Sequence, residues 1–442
     1  MTARKRVPAA VVALVLAAFL AAGARGQEQP PLPEIEGPGR EEELVPPPLP
    51  DVGEPLDEGE LVPPPLPDVG APEAPPVALE PSGWPDYLDR QLERLPIPVH
   101  GFSETRIGPR VIDDGDQPGS FSLAESRLRL ETDPFYGGLQ FNLKADFVYD
   151  FVVTESRIEL REANAAFSPF GFMDVKAGRQ ILTWGTGDLV FLNDLFPKDY
   201  VSFFIGRDVE YLKAPSDAVK LSFFSGPANL DVVYTPVFDP DVFVTGKRLS
   251  YFNPLVGGRA GEDVRIRTDD RSSWFRDDEV ALRLYRGVGS YEVAAYGYRG
   301  FWKSPVGISP ATGKFTFPRL DVYGASVRGP VARGIGNVEF AYYNSRDDSG
   351  GGAPFVPNSQ WRFLVGYNRD LPQVARDFTL GVQYYLEHMQ DYGAFTRNLP
   401  AGSRRTVQDR HTFTLRLTKL LLNQDLRLEL FTFYGLSDDE VY

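Results

Sequence analysis

From about Ser120 to Tyr434 the side chains alternate in polarity with a period of two. Leu139, Phe141, Leu143, Ala145, Phe147 and Tyr149 interleave with Gln140, Asn142, Lys144, Asp146 and Val148. Phe378, Leu380, Val382, Tyr384 and Leu386 interleave with Thr379, Gly381, Gln383, Tyr385 and Glu387. Leu426, Leu428 and Leu430 do the same with Arg427, Glu429 and Phe431. Successive side chains of a strand point to opposite faces, so each run has an apolar and a polar face. Several runs reach the roughly ten residues that a tilted strand needs to cross a bilayer. After residue 26 no stretch approaches 18 uncharged apolar residues. A membrane role is therefore that of a barrel, which satisfies every backbone polar group in lipid.

The N-terminus reads as a secretory signal over residues 1–26. Arg4, Lys5 and Arg6 form its basic end and Val11 to Ala22 its apolar core. Ala22-Gly23-Ala24 or Ala24-Arg25-Gly26 supplies the small-residue cleavage site. Residues 27–83 form a Pro-, Glu- and Gly-rich segment in which Glu43–Gly53 returns as Glu60–Gly70, a period of 17. Proline removes donors and fixes φ, so this segment is expected to be an extended, disordered periplasmic linker. It is either a semi-rigid arm that reaches a partner or a plain spacer. Residues 84–98 suggest a short helix or linker, with Trp84, Leu88, Leu92 and Leu95 on one side. Between Gln27 and Leu95 there are 17 Asp or Glu against three Arg, a net of -14 out of -15 for the whole chain. The acidity belongs to this segment. No basic patch points to nucleic acid.

Residues 99–442 are expected to be an all-β, antiparallel, up-and-down transmembrane barrel of about 16 strands. Fifteen strands are legible: 99–107, 120–131, 138–150, 156–167, 173–182, 218–225, 229–236, 279–286, 290–300, 319–328, 335–345, 360–369, 377–388, 410–419 and 425–434. Connections after even strands are short. Those after odd strands are mostly long, with 183–217 and 237–278 the longest and 151–155 the exception. Short turns at one end and long loops at the other indicate an outer-membrane barrel with its arm in the periplasm. Such barrels usually have an even strand number. Leu436–Tyr442 reads as the start of an outer loop, so either one strand is miscounted or, as is rather expected, the closing strand is missing from the sequence. Tyr136, Phe147, Tyr149, Phe167, Phe170, Trp361 and Tyr434 suit interfacial girdles.

The link 183–217 draws attention. It follows Ala177-Gly178-Arg179-Gln180-Ile181-Leu182-Thr183-Trp184-Gly185 and contains Asn193 to Tyr200. On these residues the chain resembles porin-like outer-membrane barrels, in which a strand ending Gly-Arg-Gln leads to Trp-Gly and a loop rich in Asn or Asp. Alginate-export barrels carry a related Gly-Arg-Gln strand. The likeness spans about residues 173–213. It implies a diffusion or substrate-selective pore, without naming the solute.

The residues suit that expectation. Asp188, Asp194, Lys198, Asp199, Arg207 and Asp208 place both signs of charge in the link. Arg127, Arg129, Arg161 and Arg283 fall on the polar side of their strands and are candidates for the facing wall. Opposed charges of this kind set a transverse field and a pore's selectivity. The alternative is a solvated outer loop with wall salt bridges to Glu125, Glu131 and Glu159. Arg259, Arg265, Arg267, Arg271, Asp263, Asp269 and Asp270 in the other long links suggest a solvated lid or lipopolysaccharide contact. Tyr285, Tyr343 and Tyr385 could instead form a sugar-stacking track.

Chemistry is limited. The chain has no cysteine and three histidines, His100, His388 and His411. No metal site, cofactor or nucleophile motif is legible. A His–Asp pair drawn from His388 or His411 with Asp391 or Asp409 is the sole candidate dyad, so no enzyme activity is expected. The leading expectation is a porin passing small hydrophilic solutes through a charged constriction, in contact with outer-membrane lipid and lipopolysaccharide. The alternative is a structural scaffold or sheath for a periplasmic partner, such as an electron-transfer or efflux component. The oligomeric state is not legible.

Overall fold

A computed structural model describes residues 97–254, 257–400, 405–437 and 440–441. The expected signal peptide and linker lie outside the described residues, as does nearly all of 84–98. The described chain contains fifteen long strands: β1 (His100–Pro109), β2 (Phe121–Thr132), β3 (Leu139–Asp150), β4 (Glu155–Phe170), β5 (Met173–Ile181), β6 (Pro215–Phe223), β7 (Asn229–Thr235), β8 (Glu279–Val288), β9 (Tyr291–Phe301), β10 (Arg319–Val331), β11 (Gly334–Ser345), β12 (Gln360–Asp370), β13 (Phe378–Met389), β14 (Asp409–Leu421) and β15 (Leu426–Gly435). Each pairs antiparallel with the next in one continuous sheet. All fifteen strands legible in the sequence are present, because a bilayer-spanning strand has room for a long, uninterrupted period of two.

Two details differ from expectation. Leu436 does not open a long outer loop. Beyond it, β16 (Glu440–Val441) pairs back onto Tyr434 and Gly435. The link expected over 183–217 spans 182–214, since β6 already begins at Pro215.

The pleat sorts the side chains. On β2, Glu125, Arg127 and Arg129 are buried, whereas Leu128 and Leu130 are exposed. Leu282 and Leu284 on β8, Phe340 on β11 and Phe363 on β12 are likewise exposed, forming the lipid-facing belt of a transmembrane barrel. Tyr136, Phe167 and Phe170 stand exposed at the short-turn end, and Phe147, Tyr149, Trp361 and Tyr434 towards the long-loop end. These are two aromatic rims. No described helix is long and apolar enough to cross a membrane.

The lumen is not uniform. Its β8–β13 side carries Ala281, Ala294, Tyr296, Leu320, Ala341 and Leu364. Its β1–β4 side carries Glu125, Arg127, Arg129, Asp146, Asp150 and Arg161.

Candidate functional site

Residues 182–214 leave β5 and turn into the lumen. Two glycines make this possible. Gly178 has φ +120°, and a Cβ there would lie 2.4 Å from the carbonyl oxygen of Ala163, so β5 can approach β4 only without a side chain. Gly185 has φ +76° and turns the backbone towards Glu339. Between them, Arg179 bonds the carbonyl of Leu160 at 2.8 Å, and buried Gln180 donates to the carbonyl of Ala218 at 2.9 Å. Trp184 packs edge-on against Phe196, with centroids 4.9 Å apart, inside the apolar cluster of the β8–β13 wall. Burying Trp184, Leu192 and Phe196 contributes roughly 1.5–3 kcal/mol each.

One wall carboxylate fixes the turn. Glu339 on β11, 1% exposed, accepts from Thr186 Oγ1 at 2.8 Å, Gly187 N at 2.7 Å, Asn193 Nδ2 at 2.7 Å, Asn193 N at 3.3 Å and the amide of Thr186. Neighbouring strands add further ties. Gln383 on β13 accepts from Leu189 N at 3.0 Å, Tyr343 on β11 donates to the Leu192 carbonyl at 2.6 Å, and Arg416 on β14 meets Asp188 at 2.9 Å.

The segment then crosses to the opposite wall. Asp194, fully buried, is held between Lys198 at 2.8 Å and Lys213 at 2.6 Å. Burial raises its pKa, but the two ammonium groups outweigh this and hold it below the usual carboxylate value. Asp199 caps the short helix α1 (Tyr200–Phe204), accepting from Ser202 N and Oγ, each at 2.7 Å. Arg207 bonds Glu125 on β2 at 2.9 Å, and Asp208 pairs with Arg427 on β15.

At the far side stands Tyr211, 2% exposed. The guanidinium groups of Arg127, Arg106, Arg161 and Arg129 lie 4.3, 4.9, 5.0 and 5.1 Å from its ring centroid. Its hydroxyl donates to Glu104 at 3.1 Å. Cations facing an aromatic ring are attracted to its quadrupole. Mutual repulsion among the arginines is offset by carboxylates. Arg129 grips Asp146 through Nε at 2.6 Å and Nη2 at 2.9 Å and reaches Glu210 at 2.6 Å. Arg127 meets Asp146 and also Glu159 at 2.9 Å.

Arg161 sits in this cluster at a β-bulge. The β3–β4 register shifts between Lys144 and Ala145, whose partners are Glu162 and Leu160, leaving Arg161 unpaired in the ladder. The extra residue bends the strand. Arg161 Nη2 bonds the carbonyls of Glu210 at 3.0 Å and Lys213 at 3.1 Å.

The structure thus brings Arg127, Arg129 and Arg161 together, but Arg283 stands apart, on Glu292 at 2.7 Å and over Tyr285 at 4.2 Å. Asp188, Asp194, Lys198, Asp199, Arg207 and Asp208 all lie on the lumenal segment, and each has a partner there or on the wall. Tyr343 and Tyr385 are buried beside the segment rather than lining open space. Glu339 and Tyr211 carry central contacts and no sequence motif.

A second link, residues 236–278, lies against the first and reaches across the mouth. Asp241 accepts from Lys198 N at 2.8 Å and Ser304 Oγ at 2.6 Å. Lys247 meets Glu155 at 2.6 Å, Arg248 pairs with Asp150, and Arg259 meets Asp114 at 2.6 Å. His388 bonds Asp409 at 2.6 Å across β13 and β14, and the Ser437 hydroxyl donates to the Asp409 carbonyl at 3.2 Å. Among the described residues no cluster of His, Asp and Glu could hold a metal ion.

No protein-family model matches this chain, and neither does any curated protein. Among solved structures, Salmonella typhi OmpF, solved with daunomycin, is 8% identical with a TM-score of 0.43, covering 78% of this chain and 92% of its own. Vibrio cholerae OmpT in trimer form is 12% identical with a TM-score of 0.40, covering 78% and 91%. Pseudomonas aeruginosa OccD3 is 12% identical with a TM-score of 0.38, covering 78% and 85%. Likeness at this level carries no argument beyond the antiparallel sheet described above.

Proposed function

We propose that this chain is an outer-membrane channel for passive diffusion of small hydrophilic solutes, with residues 182–214 as its charged constriction. One observation carries this reading. A segment that could have stayed outside instead enters the lumen and is fastened to β1, β2, β4, β11, β13, β14 and β15 by ion pairs and hydrogen bonds. Pinning of this extent narrows a lumen and holds charges at fixed positions, as selectivity requires. The lumenal arginines are matched by carboxylates, which supports sorting by size with only a modest preference for anions. The short-turn end faces the periplasm in this reading, and the outer rim meets lipopolysaccharide. The scaffold alternative rests on residues 27–83, outside the described chain, and no contact here favours it. Planar-bilayer recording of the refolded protein tests the proposal: it requires discrete conductance steps.

A further inference from the structure

Segment 182–214 is packed against the apolar wall at one side and the arginine cluster at the other. Open space remains along β14 and β15. Near the long-loop end it forms a cavity of about 240 Å³ between α1 and the strand ends, lined by Tyr200, Phe203, Phe204, Leu212, Phe433 and Arg410 among others. Phe203 stands 5.4 Å from Phe204 and 5.8 Å from Phe433, both near-perpendicular, so three rings wall the cavity. Phe204 is 54% exposed, unusual for a phenylalanine pointing into a barrel rather than into lipid. Arg410 is the one charged group among the described residues lining this cavity. Below it a second cavity, about 500 Å³, shares Phe203, Phe204 and Phe433 and leads past Phe431 to Arg427 and Glu429.

We infer that the upper cavity is a binding site for small aromatic monocarboxylates, met by a solute before the charged girdle beneath it. The inference rests on the diffusion-channel reading for its place in a permeation path, but not for binding itself. The physical argument has two parts. An aromatic ring entering between Phe203, Phe204 and Phe433 leaves water and meets edges and faces at favourable angles. A carboxylate at the cavity mouth meets Arg410, whose five N–H donors allow it to hold a ligand besides its protein partners. A purely hydrophilic solute gains nothing from the rings, and a neutral aromatic gains nothing from the guanidinium. The site therefore selects the combination.

Isothermal titration calorimetry of the refolded full chain tests this, with benzoate as probe and acetate and benzyl alcohol as controls. Benzoate should bind at least tenfold more tightly than either control. Phe204→Ala should weaken benzoate about threefold to tenfold, the size of an aromatic pair. Arg410→Gln should weaken it about tenfold to a hundredfold, the size of a charge-assisted hydrogen bond. Both residues are exposed, so both variants should refold. Equal binding of benzoate and acetate, or benzoate binding indifferent to both substitutions, overturns the inference. Bilayer conductance in potassium chloride, recorded separately, keeps the two claims apart. Conductance without selective benzoate binding removes the site and leaves the channel; selective binding without conductance removes the channel and leaves the site.

Discussion

Replacing Glu339 by Ala isolates the anchor that the lumenal segment depends on most. Its two oxygens accept from five donors on Thr186, Gly187 and Asn193. A buried donor left without a partner costs about 1–3 kcal/mol. Water reaches part of this site once the side chain is gone, so the low end applies, for a total near 3–5 kcal/mol. The strand ladders on either side of Glu339 are backbone hydrogen bonds and stay intact. The loss therefore falls on docking of 184–193 rather than on the barrel. At 1.4 kcal/mol per factor of ten, undocking should become at least about a hundredfold more frequent. The chain has no cysteine, so a single thiol can report this. Leu189, 7% exposed in the docked segment, is the position for it. In a Leu189→Cys background, maleimide labelling of the refolded protein should accelerate about a hundredfold when Glu339→Ala is added. Glu339→Gln should fall between, because its amide nitrogen faces donors where an oxygen accepted. An acceleration below about threefold for Glu339→Ala would refute the anchoring argument.

Other outcomes follow from the same contacts. Arg127→Ala leaves Asp146 without one partner and Glu159 without another, and should lower barrel stability by about 3–5 kcal/mol, read from the urea midpoint in lipid vesicles. Gly178→Ala places a Cβ 2.4 Å from the Ala163 carbonyl at φ +120°, and should cost roughly 1–3 kcal/mol by the same measurement. The Asp194 clip to Lys198 and Lys213 has a depressed carboxyl pKa, so its contribution is complete above the unfolded value and is lost only as pH falls through the lower folded one. The stability contributed by this clip, read as the urea midpoint of the intact chain minus that of Asp194→Asn, should accordingly be constant from about pH 8 to pH 5, and a change in that difference across the window would contradict the assignment.

Legibility in the sequence divides by range. The strands were legible because each carries its own alternation over ten or more residues, and no tertiary contact is needed to see it. Trp184, Gly185 and the charged link stood out by composition and position. Glu339 did not, because one glutamate on an amphipathic strand looks like any lumenal residue, and its partners lie about 150 positions away. Tyr211 was hidden for the same reason: its cage gathers Arg106, Arg127, Arg129 and Arg161 from three strands. Arg161 keeps the lumenal side that alternation assigns it, and only its lack of a ladder partner at the bulge was not legible. Arg283 shows the reverse case: it satisfied the alternation but lies on a different part of the wall. The two residues of β16, Glu440 and Val441, are too short a run to show alternation in the sequence.

The most direct test compares single-channel recordings of the refolded chain with and without residues 188–200. That stretch includes Asp188, Leu192, Asp194 and Lys198, the core of the lumenal crossing. The account predicts discrete conductance steps for the intact chain and larger steps for the deletion. Refolded barrels that conduct nothing, or a deletion whose steps are unchanged, would contradict it.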